Sequence, residues 1–132
     1  MVGISDLTVL LGTMEPVLFP GVYGYASLPP GEGVPVGVVP FATMAEAEGM
    51  TLVALATELA AAGVVHQGGW ARISLTVQSD LAAVGLTAAF AGALGARGIS
   101  ANVVAGYHHD HLFVQWDRRD EAVAALRAMG GV

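Results

Sequence analysis

The chain has 132 residues, 55% of them hydrophobic and 12% charged, which is enough apolar material for one compact domain or two small halves that share a core. The formal net charge is −6 and the five basic residues are scattered arginines, so neither nucleic acid nor an anionic membrane is an expected partner. Cysteine and lysine are absent, which excludes thiolate, disulfide, zinc-ribbon and Schiff-base chemistry.

The N-terminal residues lack the basic and apolar regions of a signal peptide, and no charge-free run reaches the length of a membrane span. We therefore expect a cytoplasmic protein.

The first half alternates short elements with Gly- and Pro-containing turns. In chain order the patterns predict a helix over 6–14, a strand over 22–28, a turn at 29–33, an extended segment over 34–41, a short helix after Thr43, a strand over 51–55 and a helix over 57–62. The helix after Thr43 rests on the capping-box spacing of Thr43 and Glu46 and ends at Gly49.

The second half has clearer periodicity. Residues 70–78 alternate apolar and polar side chains, as in a half-buried strand. A helix over 83–97 that ends at Gly98, strands over 99–107 and 111–116 around a turn at 108–110, and a helix capped by Asp117 complete it.

This order is the ferredoxin-like βαββαβ arrangement without its last strand. We therefore predict an α+β fold of two interlocked halves, 1–66 and 67–132, with antiparallel sheets and helices on one face. In it the first half covers the open sheet edge, and segments 22–28 and 51–55 are the expected donors.

The junction between the strand over 70–78 and the next helix is a candidate binding site. The start of a helix offers unpaired backbone amides and partial positive charge, which suit a carboxylate, and Gly85 would let a ligand approach the backbone closely. The simpler alternative is that Ser79 or Asp80 only caps the helix and that Gly85 only relieves packing.

Tyr107 to His111 form a turn rich in histidine. Because side chains alternate along a hairpin, at most two of its His and Asp side chains converge, as His109 with His111 or His108 with Asp110. The turn therefore suggests either a weak metal site or an Asp110 carboxylate that faces an ammonium group.

The polar face of the strand over 70–78 is either solvated or a dimer contact; its residues are Arg72, Ser74, Thr76 and Gln78. The chain has no nucleotide-binding, zinc-protease or serine-hydrolase motif, and no carboxylates are paired near a histidine. We therefore predict no catalytic residues and no cofactor.

The segments 47–53, 83–89, 98–105 and 107–114 resemble a family of small bacterial ACT-domain proteins, predicted to bind amino acids and built from tandem ACT-like halves. The chain is similar, more distantly, to the ACT repeats of a cytosolic arginine sensor and to the regulatory repeats of aspartokinase. The resemblance covers nearly the whole chain.

The resemblance implies a ligand between the strand-to-helix loop of one ACT unit and a neighbouring strand. Asp110 matches an aspartate that helps to hold the ligand in the arginine sensor. The implied ligand-binding residues are Ser79, Asp80, Val84, Gly85, Leu86, Thr87, Asn102, Val103 and Asp110.

The predicted function is a non-enzymatic regulatory module that binds an amino acid or a similar small metabolite, as a homodimer. Two alternatives stay open: an ACT-fold subunit for dimerisation or partner docking without a ligand, and metal binding at the histidine-rich turn.

Overall fold

The computed structural model describes residues 9, 11–12, 14–76 and 84–129. The chain forms two compact units: unit A comprises Met1–Pro20 and Ala71–Val132, and unit B comprises Gly21–Trp70. The chain thus begins unit A, builds unit B, and then returns to complete unit A. This division differs from the predicted halves 1–66 and 67–132, because the first twenty residues pack with the second half.

Unit B is an antiparallel sheet with one short helix. Its elements are strands β2 (Tyr23–Leu28), β3 (Ala42–Glu46) and β4 (Gly49–Leu55), helix α1 (Ala56–Ala61) and the first residues of β5 (Gln67–Leu75). The strand order is β3-β4-β2-β5. The core of the unit is a cluster around Leu52 and Leu59, both fully buried. The predicted strands over 22–28 and 51–55 and the helix over 57–62 are confirmed.

Two predictions in unit B are wrong. Residues 42–46 form strand β3 instead of a helix, because they pair with β4 in a hairpin whose register runs from Ala42–Val53 to Glu46–Gly49. The Glu46 carboxylate accepts a hydrogen bond from Thr51 across that hairpin, so it does not cap a helix. Segment 34–41 contains a turn closed by the bond from Val38 N to Pro35 O, with Gly37 in the left-handed region, and is not a strand.

Unit A has helices on one face of a second antiparallel arrangement. Its elements are β1 (Pro16–Leu18), the last residues of β5, α2 (Leu86–Gly95), β6 (Asn102–Ala105), β7 (Asp110–Gln115), a 3₁₀ turn (Trp116–Arg118) and α3 (Arg119–Ala128). The order is β1-β5-β7-β6.

The alternating pattern of β5 and β7 decides which face the helices cover. Ala71, Ile73 and Leu75 of β5 and Leu112 and Val114 of β7 are buried in one cluster with the apolar stripes of the helices, which contribute Leu86, Phe90, Leu94, Ala122, Ala125 and Leu126. The residues between them in sequence therefore point to the opposite face. This confirms the predicted alternation and the helical stripe at Leu86, Phe90 and Leu94.

Strand β1 replaces the missing last strand of the ferredoxin-like order. It pairs antiparallel with β5 in the register Pro16–Leu75 to Leu18–Ile73, and the pairing extends to the bonds Phe19 N to Arg72 O and Thr76 N to Glu15 O. The first half does pair with β5: β1 pairs with its last residues and β2, in the predicted segment 22–28, with its first residues. The predicted donor 51–55 lies in β4, which pairs with β2 instead. Of the predicted helix over 6–14, residues 9, 11 and 12 are helical and most of the others lie outside the described residues.

The end of α2 agrees with the prediction, whereas the start of α3 does not. Gly98 has the left-handed φ of +71° expected after α2, and the Arg118 guanidinium donates to the carbonyl oxygen of Arg97 at 2.8 Å. Asp117, however, lies in the 3₁₀ turn, and the residue before α3 is Arg118, which makes no side-chain cap. The described part of the chain has no helix long and apolar enough to cross a bilayer.

Candidate functional site

No side chain among the described residues caps the start of helix α2. Gly85 precedes it with φ +94°, a value that L side chains rarely adopt, and the first intrahelical bond runs from Ala89 N to Gly85 O at 2.9 Å. The amides of residues 86–88 lie ahead of that bond, so they have no acceptor within the helix. The partial positive charge of the helix start makes these amides suitable donors to an anion.

The predicted loop residues divide into three groups. Ser79 and Asp80 lie outside the described residues. Val84 is 84% exposed and Thr87 is also exposed, so both are open to solvent. Leu86 is buried in the core cluster of unit A, so its side chain packs against the sheet and only its backbone can face a ligand.

The two predicted residues of the neighbouring strand behave differently. Asn102 is exposed and pairs with Phe113 in the β6–β7 hairpin. Val103 is half-buried and packs against the core cluster under the helices. Only Asn102 therefore offers a polar side chain at the surface.

The bend between β6 and β7 is held by a bond from Gly106 N to His109 O at 2.9 Å. A Cβ at residue 106 would lie 2.7 Å from that same carbonyl oxygen, so the bend requires glycine there. This close approach fixes where β7 begins and therefore fixes the positions of Asp110 and His111.

Asp110 is the first residue of β7 and is half-buried. By alternation it shares a strand face with Leu112 and Val114, whose side chains contact the helix layer. Burial raises the pKa of its carboxyl group above the ordinary value, and the positive charge of His109 opposes that rise. Asp110 is thus a desolvated carboxylate on the side of the sheet that α2 covers.

A cavity of about 260 Å³ lies on the opposite face of the same strands. It is lined by Val17, Phe19, Arg72, Ser74, Leu75, Thr76, His109 and His111. The polar face of β5 and the convergence of His109 with His111 were each predictable from local alternation. Their adjacency was not, because only the tertiary pairing of β5 with β7 brings them together.

The polar groups of this cavity are held by contacts within unit A. The His111 Nδ1 atom and the Ser74 Oγ atom are 2.6 Å apart, and the Arg72 guanidinium lies 3.9 Å from the centre of the Phe19 ring. Burial lowers the pKa of His111, and the positive charges of Arg72 and His109 lower it further.

The histidine-rich turn does not assemble a metal-ligand set among the described residues, where no three His, Asp or Glu side chains come together. His108 is exposed beside the half-buried His109, and the ring of His111 bonds Ser74. The arrangement brings His109 and His111 to one face and Asp110 to the other, as the alternation predicts.

The fold thus defines a tandem ferredoxin-like protein whose second unit is completed by a strand from the start of the chain. Two ACT-domain models match the sequence, one over residues 2–69 and the other over residues 65–128. The chain belongs to the ACT-domain family.

The solved structures that resemble this chain include one with substantial sequence similarity. A protein of unknown function from Vibrio cholerae, called a possible transport protein, is 42% identical with a TM-score of 0.82, over 94% of this chain and 95% of its own. No curated protein sequence matches the chain.

Two further structures share the fold alone. A protein from Agrobacterium tumefaciens is 21% identical with a TM-score of 0.72 over 89% of each chain. The regulatory subunit of aspartate kinase from Thermus thermophilus, in its ligand-free form, is 11% identical with a TM-score of 0.62, over 89% of this chain and 98% of its own.

Proposed function

We propose that this protein is a non-enzymatic regulatory module that binds an amino acid or a similar small metabolite in unit A. The amides at the start of α2 would bind the ligand's carboxylate, and Asp110 would bind its ammonium group. Val84 and Thr87 would border the ligand. Asn102 is opposite Phe113 in the hairpin, so its side chain lies on the other face from Asp110 and is not part of the proposed site.

The observation that carries the proposal is the start of α2, which no side chain in residues 14–76 or 84–129 caps, on the same layer as a desolvated carboxylate. Leu86, the first residue of α2, packs in one cluster with Leu112 and Val114, and these two share a strand face with Asp110. An amino acid has one anionic and one cationic group, so it complements amide donors on one side and a carboxylate on the other. The raised pKa of Asp110 means that its charged form is incompletely solvated in the unliganded protein. A bound ammonium group would compensate that charge.

The relatives support a regulatory role. Both matched models are ACT domains, and ACT domains commonly bind amino acids and oligomerise. A structure with the same fold is a regulatory subunit of aspartate kinase. We propose that the protein works in the cytoplasm as a homodimer, and the short edge strand β6, which ends the strand order of unit A, is a candidate contact between subunits.

The test is thermal unfolding of the protein with each of the twenty amino acids. At a hundred times its dissociation constant, a ligand adds about 2.7 kcal/mol to the free energy of unfolding, which for a chain of this size raises the Tm on the order of 10 °C. Asp110→Asn should abolish the shift that the active amino acid produces. Asp117→Asn, which changes an exposed aspartate in the 3₁₀ turn, is the matched control and should retain it.

The docking alternative predicts a different result. If no amino acid at millimolar concentration raises the Tm, and the protein is nonetheless a dimer by analytical ultracentrifugation, the ACT fold serves assembly and the proposed binding function is wrong.

A further inference from the structure

The cavity on the helix-free face of unit A has the charge of an anion site. Arg72 contributes a guanidinium that no pH near neutrality discharges, and no carboxylate is among the described residues that line the cavity. The guanidinium lies 3.9 Å from the centre of the Phe19 ring, and this stacking fixes its position. A negative group inside the cavity would therefore meet a fixed positive charge in a partly desolvated place, where the attraction is stronger than in bulk water.

His109 supplies an independent sign of a missing partner. Its Nδ1 atom is buried but makes no hydrogen bond to any residue in the described ranges. Buried polar atoms are nearly always paired, because an unpaired one costs about 1–3 kcal/mol. A ligand atom in the cavity that His109 lines would provide the partner.

The size and the remaining lining restrict the ligand. About 260 Å³ equals the share of roughly nine water molecules in the liquid, which is small for an organic ligand. Val17 and Phe19 add apolar lining beside the polar groups. The cavity therefore suits a compact anionic head with a short apolar chain better than a sugar or a nucleotide.

We infer that this cavity is a second ligand site, for a short-chain carboxylate, in which Arg72 and His109 bind the carboxylate and Val17 and Phe19 contact the chain. The contact of 2.6 Å between Ser74 Oγ and His111 Nδ1 orients the His111 ring, which would border the bound carboxylate. The site is distinct from the one proposed at α2 and Asp110, because side chains at 109 and 111 point to the opposite face of the hairpin from Asp110. It does not depend on that proposal.

Occupancy of this site must change the protonation of His111. The groups that face His111 are Arg72 from β5 and His109 from the bend, both able to carry positive charge, whereas Val17 of β1 and the following Phe19 are uncharged. A bound carboxylate opposes these charges and raises the pKa of His111. Binding therefore takes up protons, and affinity increases as the pH falls through the pKa values of the complex.

The experiment follows the imidazole C2 protons of the intact protein by NMR during pH titration, with and without butyrate. Butyrate should raise the pKa of His111, whose unliganded value is lowered by burial and by Arg72. At constant pH the resonance of His66, in unit B, should not move on addition of butyrate. Butanol, which has a chain of the same length but no charge, should change neither of them. Inorganic phosphate distinguishes a general anion site from a carboxylate site.

Arg72→Gln should weaken butyrate binding by about tenfold to a hundredfold, the range expected for a charge-assisted contact. Arg97 is exposed and lies just beyond the C-terminal end of α2. Arg97→Gln is therefore the control and should leave the affinity unchanged. Because Arg72 packs on Phe19 and its loss could disturb folding, His109→Asn provides a second variant, in which binding should also weaken while His111 still reports it. Asp110→Asn should retain the butyrate response.

Three results would overturn the inference. His111 could fail to respond to butyrate, butanol could shift it equally, or the Arg97 control could lose as much affinity as the Arg72 variant. A response to phosphate without one to butyrate would contradict the assignment to a carboxylate.

Discussion

Asp110 is desolvated in the unliganded protein, and this has a consequence for stability. The pKa of its carboxyl group is raised above the ordinary 3.8 by burial. Between 3.8 and the folded-state pKa the native protein therefore binds more protons than the unfolded chain, so the free energy of unfolding decreases as the pH rises through that interval. The full destabilisation is present above the folded-state pKa.

We therefore expect Asp110→Asn to stabilise the unliganded protein at neutral pH, because it removes a charge that burial disfavours. The advantage of the variant in urea denaturation should decrease as the pH is lowered toward 3.8. Asp117→Asn, at an exposed position, should show no such pH-dependent difference. A variant that is less stable than the original protein at neutral pH would mean that an unidentified partner compensates the Asp110 charge.

At the level of elements, β1 shows how a very short strand completes a sheet. The bonds Phe19 N to Arg72 O and Thr76 N to Glu15 O lie on either side of the Val17–Ser74 pair. Paired bonds in an antiparallel ladder recur every second residue, so the Val17 amide also faces β5. β1 therefore contributes donors along its length, although it is only three residues long.

Val17→Pro should consequently destabilise the protein by about 2 kcal/mol in urea denaturation, because proline removes the amide donor and leaves the Ser74 carbonyl unpaired. Val36→Pro is the matched control. Val36 is fully exposed at the second position of the turn from Pro35 to Val38, where proline is favoured, so that variant should be neutral or slightly stabilising. Equal losses in the two variants would argue against a structural role for β1.

Strand β1 could not be predicted from the sequence. The alternation in β5 and the stripe of α2 are local periodicities, so residues 70–75 and the helix were predicted correctly. A strand of three residues beside Pro16 has no period of its own, and its partners lie in β5, far along the chain. At Thr43 the capping-box spacing predicted a helix, but the cross-strand bond between Thr51 and Glu46 uses the same carboxylate. Residues 42–46 were compatible with a helix by their local pattern and with a strand by their pairing to β4, and they form the strand.

The candidate sites show the same division. Asp110 could be named as a candidate ligand-binding carboxylate because the turn and the alternation of β7 are local features. The cavity depends on the contact between Ser74 and His111, and that pairing of β5 with β7 is not visible in either segment alone.

On the scale of the molecule, the two units have separate cores. Every residue of the larger cluster belongs to unit A, from Met14 through Ala71 to Leu126, and every residue of the smaller cluster belongs to unit B. The folding core of unit A is therefore complete within residues 1–20 and 71–132, provided that β1 remains attached to β5.

The register of β1 and β5 allows this to be tested directly. Because Phe19 is bonded to Arg72, this pair can close a four-residue hairpin loop made of Pro20, two inserted residues and Ala71. A chain in which Asn-Gly replaces residues 21–70 should fold cooperatively and show dispersed NMR signals. Residues 71–132 alone should aggregate, because the edge of β5 that β1 covers would be exposed. If the joined chain is as disordered as the fragment, unit A requires unit B to fold; if the fragment folds as well as the joined chain, β1 is dispensable and its proposed role in completing the sheet is wrong.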